Sequence, residues 1–251
     1  MNALNSTGAA NKALLTAEHV DHFIGLDTTL WNTVEGDSNA SVAIDADGVG
    51  GIVQLSVGTS DNEECYLYTN EIFKIAQNKP IAVLARLQYT EDSTDDANVI
   101  FGVVNGVAAN LIPDGGGIKT TFTGAVIGKR DGETRWKLHA NNGGTTDVTE
   151  LDYTAGGASY QTLALLIDPI SSDRFTVTPL LDTSGGNALI QARQYNVNPR
   201  VPLVKPELSY SSPTEMALVI GLKNGGANSE LLNVDLAAFA LNIYLSITGI
   251  T

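Results

Sequence analysis

Asn98-Val99-Ile100-Phe101-Gly102-Val103-Val104 is the stretch whose reading decides the fold. From Val99 to Val104 the run is apolar on both alternating faces, which describes a strand in the middle of a sheet covered from each side. Gly102 at its centre points to a close backbone approach or a bulge. Upstream, Ile81, Val83, Ala85, Leu87 and Tyr89 share one face of a strand, and Arg86, Gln88 and Thr90 share the other. Glu91, Asp92, Asp95 and Asp96 then make a solvated turn. Still earlier, Val53, Leu55 and Val57 alternate with Gln54 and Ser56, the period of a half-buried strand.

Downstream lies a long loop, Asn105 to Thr121, that contains Asp114-Gly115-Gly116-Gly117. Loops of this length in compact domains are functional or interface segments, or flexible ones. Ala125 to Arg130 and Glu133 to Ala140 flank Asp131-Gly132, a pair that suits the positive φ angles of a two-residue type I′ hairpin. Trp136 and Leu138 then face inward, and Arg135, Lys137 and His139 face water. Further strands are expected at Gln161 to Ile167, Arg174 to Leu181, Glu215 to Leu222 and Leu232 to Phe239.

Ten to fourteen strands without a long amphipathic helix predict an all-β jelly-roll sandwich of two antiparallel sheets, each of six or seven strands. The chain shows no repeat at a fixed period, and Asn198 to Pro206 reads as a crossing between sheets. The expected organisation is an N-terminal arm or short helix over 1–24, a sandwich over 25–240, and a C-terminal strand or contact tail over 241–251. In the first segment Thr16 would cap a helix carrying Val20, Phe23 and Ile24 on one side.

The charge balance narrows the partners. Fourteen Lys and Arg against 28 Asp and Glu give −14, which repels a phosphate backbone, so nucleic acid is not an expected partner. The densest cations, Lys129, Arg130, Arg135 and Lys137, surround one hairpin with Asp131 and Glu133 among them and read as a solvated face. No window has the apolar length to span a bilayer, so no membrane partner is expected. A single cysteine, Cys65, forms no intramolecular disulfide and reads as a small buried hydrophobe in a strand. The N-terminal stretch, broken by Glu18, His19, Asp21 and His22, is a poor signal peptide, and assembly in a cytoplasm is expected.

Patterns that would carry chemistry are incomplete. Asp45, Asp47 and Gly50 imitate a calcium loop, but Val49 and Ser56 stand where the third ligand and the bidentate carboxylate belong, leaving a tight turn. Around Lys119-Thr120, Ile118 replaces the glycine that a phosphate cradle needs. His19, His22 and His139 form no zinc pattern and read as surface residues, and no Gly-x-Ser-x-Gly elbow exists. Glu63 and Glu64 are adjacent and point oppositely. Glu150 and Asp152 share a face but lie in a turn-rich polar region, and a hydrolytic carboxylate pair requires tighter placement. Trp31, Tyr66, Tyr68 and Trp136 are candidates for a sugar-stacking platform, with Trp136 in phase with the core. No catalytic, cofactor-binding or metal-binding residue is assigned, and no cofactor is expected.

A likeness runs through several blocks: Asp61-Asn62-Glu63-Glu64, Tyr66 to Phe73, Lys79-Pro80, Ala85 to Gln88, Asn98 to Gly102, Asp114 to Gly117, Gly124 to Ile127, Tyr160 to Leu163, Ala217 to Asn228 and Leu232 to Asp235. In order, these resemble a family of phage and prophage virion proteins with a concanavalin A-like lectin/glucanase sandwich. The resemblance covers about residues 25 to 240 and rests on turns and strands. It implies a non-enzymatic head decoration, or cement, protein that binds the major capsid protein on the outer head surface and stabilises the shell, as a homo-oligomer with a trimer favoured. The Glu-x-Asp-x-x-Glu strand of the sugar-cleaving members is missing. The alternative is a carbohydrate-binding, lectin-like virion module that holds a host glycan, and the third reading is a divergent glycanase.

Overall fold

The computed structural model describes residues 17–77, 79–91, 96–144, 146–157, 159–182, 207–209 and 215–241. Sixteen strands are present among them: β1 (Ala17–Asp21), β2 (Trp31–Glu35), β3 (Ser41–Ile44), β4 (Val53–Val57), β5 (Glu64–Thr69), β6 (Phe73–Lys74), β7 (Ile81–Glu91) and β8 (Ala97–Val104) come first. They are followed by β9 (Thr123–Lys129), β10 (Arg135–Asn142), β11 (Thr146–Thr154), β12 (Gln161–Pro169), β13 (Arg174–Asp182), β14 (Glu207–Ser209), β15 (Glu215–Asn224) and β16 (Glu230–Leu241). No helix occurs among the described residues.

Two eight-stranded antiparallel sheets face each other. Sheet A runs β14-β13-β12-β7-β16-β4-β3 with β1 beside β16, and sheet B runs β11-β10-β9-β8-β15-β5-β2 with β6 beside β15. The count exceeds expectation because β1, β6 and β14 are short pieces added at edges, too brief to show a period in sequence. Val53, Leu55, Val83, Ala85 and Leu87 of sheet A meet Val99, Phe101, Val103, Ile127, Leu218 and Ile220 of sheet B in one buried core.

The strand from Ala97 to Val104 is buried at every position, between β9 and β15. At Gly102 a Cβ would lie 2.5 Å from Val126 Cα and collide with the Ala125 carbonyl, so the central glycine marks a close approach of β9.

The short-helix reading of residues 17–24 is corrected. Ala17 to Asp21 pair with Leu241 to Ala237, and His19 stacks on Phe239 with ring centroids 5.3 Å apart. Two turns of helix are too few to stand alone, whereas the edge of β16 offers a full row of backbone partners. Asp21 then holds the reversal that follows, accepting from Phe23 N at 2.7 Å and Trp31 Nε1 at 2.8 Å. Phe23 (φ 51°) and Trp31 are both buried, so the sandwich core begins ahead of residue 25. Residues 1–16, 242–251 and the Asn198–Pro206 crossing lie outside the described residues.

The Asp131-Gly132 hairpin also differs. Glu133 N donates to the Arg130 carbonyl at 2.9 Å, and Gly132 (φ 73°) has positive φ while Asp131 does not. Positive φ at the third turn position alone is the mark of a type II turn, not of type I′. Trp136 and Leu138 do face the core.

Candidate functional site

Three surfaces carry the polar side chains that the core excludes. The first is the outer face of sheet B. Here the loop from Asn105 to Thr121 folds back over its own sheet, and Leu111, Ile112, Ile118 and the adjoining Phe122 bury against Tyr66, Ile100, Val104, Val126 and Val219. The reading of this loop as flexible is therefore corrected. Its apolar residues are spaced among glycines and polar residues, which hides their common face in sequence.

A buried lysine pins that loop. Lys223 on β15 is 1% exposed, and its Nζ donates to Asn110 Oδ1 at 3.2 Å, the Ile112 carbonyl at 2.9 Å and Asp114 Oδ1 at 2.7 Å. Glu64 Oε2 lies 3.5 Å away and accepts from the Tyr66 hydroxyl at 2.6 Å. Tyr66 in turn accepts from Ile112 N at 3.0 Å. Burial, then the Glu64 carboxylate, pushes the Tyr66 phenol far above its ordinary range. The pair Glu63-Glu64 is buried as well: Glu63 accepts from Asn39 Nδ2 at 2.8 Å on the other side, so the two do point apart.

The cations around the Asp131 turn do not form a common face. Lys129 is 2% exposed and donates to the Ala97 carbonyl at 2.9 Å, which corrects the solvated reading for that residue. Lys137 pairs with Glu133 at 2.6 Å. His139 is half-buried on the outer face of sheet B, opposite the buried Val126, rather than at the surface. Burial lowers its pKa to about 4, with Glu133 opposing and Lys137 adding to the shift. Cys65 is buried in β5 as expected, and burial followed by the Glu35 carboxylate raises its thiol to about 12. Such a thiol is inert at neutral pH.

The second surface is an open polar cleft of about 420 Å³ at the turn from β11 to β12, lined by Asp152, Tyr153, Thr154, Gly156, Gly157, Ser159 and Gln161. Gln161 shapes it. Its Oε1 accepts from Trp136 Nε1 at 2.8 Å and Gly156 N at 3.2 Å, and its Nε2 donates to the Thr154 carbonyl at 3.0 Å. Gly156 (φ 76°) is required there, because a Cβ would run into the Tyr89 ring. Glu150 and Asp152, expected in a turn-rich region, sit on the edge strand β11. That strand buries only Leu151, so its polar texture imitates a loop. Both carboxylates share Arg135, at 3.2 and 3.0 Å, and both are exposed.

The third surface is the outer face of sheet A, where Arg86 of β7 pairs with Asp235 of β16 and lies 4.6 Å from the centre of the Tyr160 ring. Gln54 Nε2 donates to Asn233 Oδ1 nearby, at 3.1 Å. Among the described residues, no group of three or more His, Cys, Asp or Glu converges as metal ligands. The Asp45-Asp47 segment is a turn between β3 and β4, closed by Gly48 N on the Asp45 carbonyl at 3.2 Å.

No protein-family model and no curated protein matches the sequence. Solved structures do match in shape. The endo-β-1,4-glucuronan lyase of the fungus Trichoderma reesei superposes with a TM-score of 0.57 over 90% of this chain and 94% of that one, at 10% identity. The potassium-bound carbohydrate recognition domain of Emp46p gives 0.55 over 88% and 93%, at 11% identity. The exoplasmic/lumenal domain of VIP36, in its Ca2+/Man3GlcNAc-bound form, gives 0.52 over 87% and 86%, at 14% identity. The fold is that of the concanavalin A-like lectins and glucanases. Proteins of this lectin/glucanase sandwich include carbohydrate recognition domains, a lyase and a glycoside hydrolase, so the architecture accommodates both binding and cleavage.

Of the four aromatic platform candidates, Trp31, Tyr66 and Trp136 are buried, and Tyr68 packs half-buried beside the loop on sheet B. The aromatic residues beside exposed polar groups are instead Tyr153 in the cleft and Tyr160 under Arg86. Sequence reasoning missed both. The available signal was Tyr160 beside Gln161, one residue ahead of the inward face of β12.

Proposed function

We propose that this chain is a lectin-like recognition module that binds carbohydrate without cleaving it, in the cleft between Asp152 and Gln161. The observation that carries this reading is the cleft itself: about 420 Å³, open, and lined by a carboxylate, two hydroxyls, a tyrosine and glycine backbone. That volume falls within the roughly 300–1,000 Å³ of small-ligand sites. A sugar offers a hydroxyl at nearly every carbon, and each needs a donor or an acceptor when it leaves water. Non-enzymatic action is favoured by the pairing of Glu150 and Asp152 with one exposed arginine. Glycoside hydrolysis uses two carboxyls flanking a bond, about 5–10 Å apart, one of them held protonated. Two exposed carboxylates on β11 that share Arg135 of the neighbouring β10 do not offer that.

Binding to a printed panel of oligosaccharides tests the reading. The wild-type chain is expected to retain a defined subset, and Thr154→Ala with Ser159→Ala to lose it. Release of reducing or unsaturated sugar ends from a bound glycan, abolished by Asp152→Asn, would overturn the non-enzymatic reading in favour of a glycanase or lyase.

A second reading, a virion decoration protein that binds the outer surface of a phage head, is favoured by the pinned loop. With its apolar side buried and Lys223 fastened beneath, the loop turns Ala108, Ala109, Asn110, Asp114, Gly115, Lys119, Thr120 and Thr121 outward. A rigid array of small and polar residues suits contact with another protein, because little entropy is lost on docking. Binding only to the assembled shell would stabilise that shell by mass action. Presence of the chain in stoichiometric copies on purified particles, with Lys119→Glu reducing occupancy, supports it. Absence from particles sinks it. A trimer on a threefold axis and a virion-surface location belong to this proposal.

A further inference from the structure

Gln161, the side chain that shapes the cleft, has nothing left for a ligand. It is buried, its Oε1 accepts from Trp136 Nε1 and Gly156 N, and its Nε2 donates to the carbonyls of Thr154 and Gly156, at 3.0 and 3.2 Å. A primary amide has two donors and two acceptor lone pairs, and all four are spent on the turn and on β10. Recognition falls instead to what the walls expose: the Asp152 carboxylate, the Thr154 and Ser159 hydroxyls, and the backbone at Gly157, beside which the space is open.

These groups are one-sided in charge. Among the described residues that line the cleft, Asp152 alone is charged. Its side chain is 86% exposed, and its Oδ1 accepts from Arg135 Nη1 at 3.0 Å while its Oδ2 accepts from no described residue. Arg135 does not line the cleft, and the same Nη1 also donates to Glu150 at 3.2 Å. One cation therefore serves two carboxylates, and the trio keeps one net negative charge. Lys137, the next outward residue of β10, is paired with Glu133 at 2.6 Å and does not redress the balance. The whole chain adds a formal charge of −14. A cleft lined by one sign of charge gathers ligands of the other sign.

Ligand chemistry follows from that inventory. A uronate would bring its carboxylate to Asp152 with no uncommitted cation in the walls to receive it. A neutral sugar can donate a hydroxyl to Asp152 but gains no charge attraction. An ammonium carries three donors and no acceptor, and its hydrogen bond to a carboxylate is charge-assisted. We propose that the cleft selects amino sugars whose amine is free and protonated, with the ammonium on Asp152 Oδ2 and neighbouring ring hydroxyls on Thr154 and Ser159. This rests on the carbohydrate-binding reading above and names the ligand class of the same site.

The test is calorimetric titration of the full chain with matched oligomers of glucosamine and of N-acetylglucosamine, which differ only in whether the amine is free. A uronate oligomer and tri-lysine, an ammonium source without sugar hydroxyls, complete the set. The glucosamine oligomer is expected to bind about 5-fold more tightly than its acetylated counterpart at low salt, and the ratio to shrink at high salt. Asp152→Asn should bring the ratio towards one. Arg135→Ala, which frees both carboxylates of their shared cation, should raise it. A residue that only holds the fold would move both affinities together and leave the ratio alone, and thermal unfolding of each variant checks that the fold is kept. A wild-type ratio near one, a ratio that Asp152→Asn leaves unchanged, a preference for the uronate, or equal binding of tri-lysine overturns the amino-sugar assignment. Where some glycan still binds, the cleft reading survives that result. Retention of no glycan by the wild type overturns the assignment together with the carbohydrate reading.

Discussion

The outer faces of the two sheets treat a cation in opposite ways. On sheet B, Lys223 has three N–H donors and spends all three, on Asn110, Ile112 and Asp114. On sheet A, Arg86 has five and spends one within the described residues. Both lysine and arginine sit at outward positions of long central strands, so strand periodicity does not separate them. The difference is what lies above. Sheet B is roofed by its own loop, whose carbonyls and side chains saturate the lysine. The residues described over Arg86 and Asp235 leave a donor and an acceptor unmet. The saturated cation holds a loop to its sheet, and the other leaves a covered donor and a covered acceptor side by side without a partner.

Breaking the saturated side is expected to have the largest effect. Lys223→Ala leaves the buried Glu64 carboxylate without its cation, which costs roughly 3–5 kcal/mol for a broken buried pair. Urea unfolding would register it as a lowered midpoint. Limited proteolysis between Asn105 and Thr121 is expected to accelerate at the same time. An unchanged midpoint would mean that the loop stays closed on its apolar residues alone.

Acid should act on the same face through His139. Its folded pKa of about 4 lies below the ordinary 6.5, so the unfolded chain takes up the proton first. Stability contributed by the neutral ring is complete above about pH 6.5 and is lost as pH falls toward about 4, by up to about 3 kcal/mol. Unfolding free energy measured across that window should fall, and His139→Gln should flatten the slope. An identical slope in the variant would place the acid sensitivity elsewhere.

The smallest effect is expected at the exposed edge. Arg135→Ala removes two ion pairs whose members are all at least half exposed, and such pairs contribute about 1 kcal/mol or less. Thermal unfolding should shift by only a few degrees, and less at high salt. A loss as large as that of Lys223→Ala would show that β11 depends on this cluster for its place in the sheet.

Much of the sandwich was legible because its strands announce themselves by period. The runs at Ile81 to Tyr89 and Val53 to Val57 alternate as they do in the structure, and Val99 to Val104 is buried on both sides. Trp136 and Leu138 were placed inward by the same phase. Short edges were not legible: β1 was read as a helix, and β11 as a polar loop. Edge strands bury little, so the alternation that reveals a strand is weak in them. The candidate site was legible only in pieces. Glu150 and Asp152 were noticed as a pair, but their shared Arg135 lies on the neighbouring strand. Tyr160, Arg86 and Asp235 are separated by 149 residues between the ion-paired members, and no local pattern links them.

The sequence by itself determined that this chain is an all-β sandwich and that its cysteine is a buried strand residue. Those properties follow from composition and from side-chain alternation, which act between near neighbours. Tertiary structure alone decided that the glycine-rich loop roofs sheet B, that Lys129 and Lys223 are buried, and that a bulge turns Asp235 toward Arg86. Each of these depends on which strands lie side by side. That pairing is set by summed burial over the whole chain, because no single segment contains both partners.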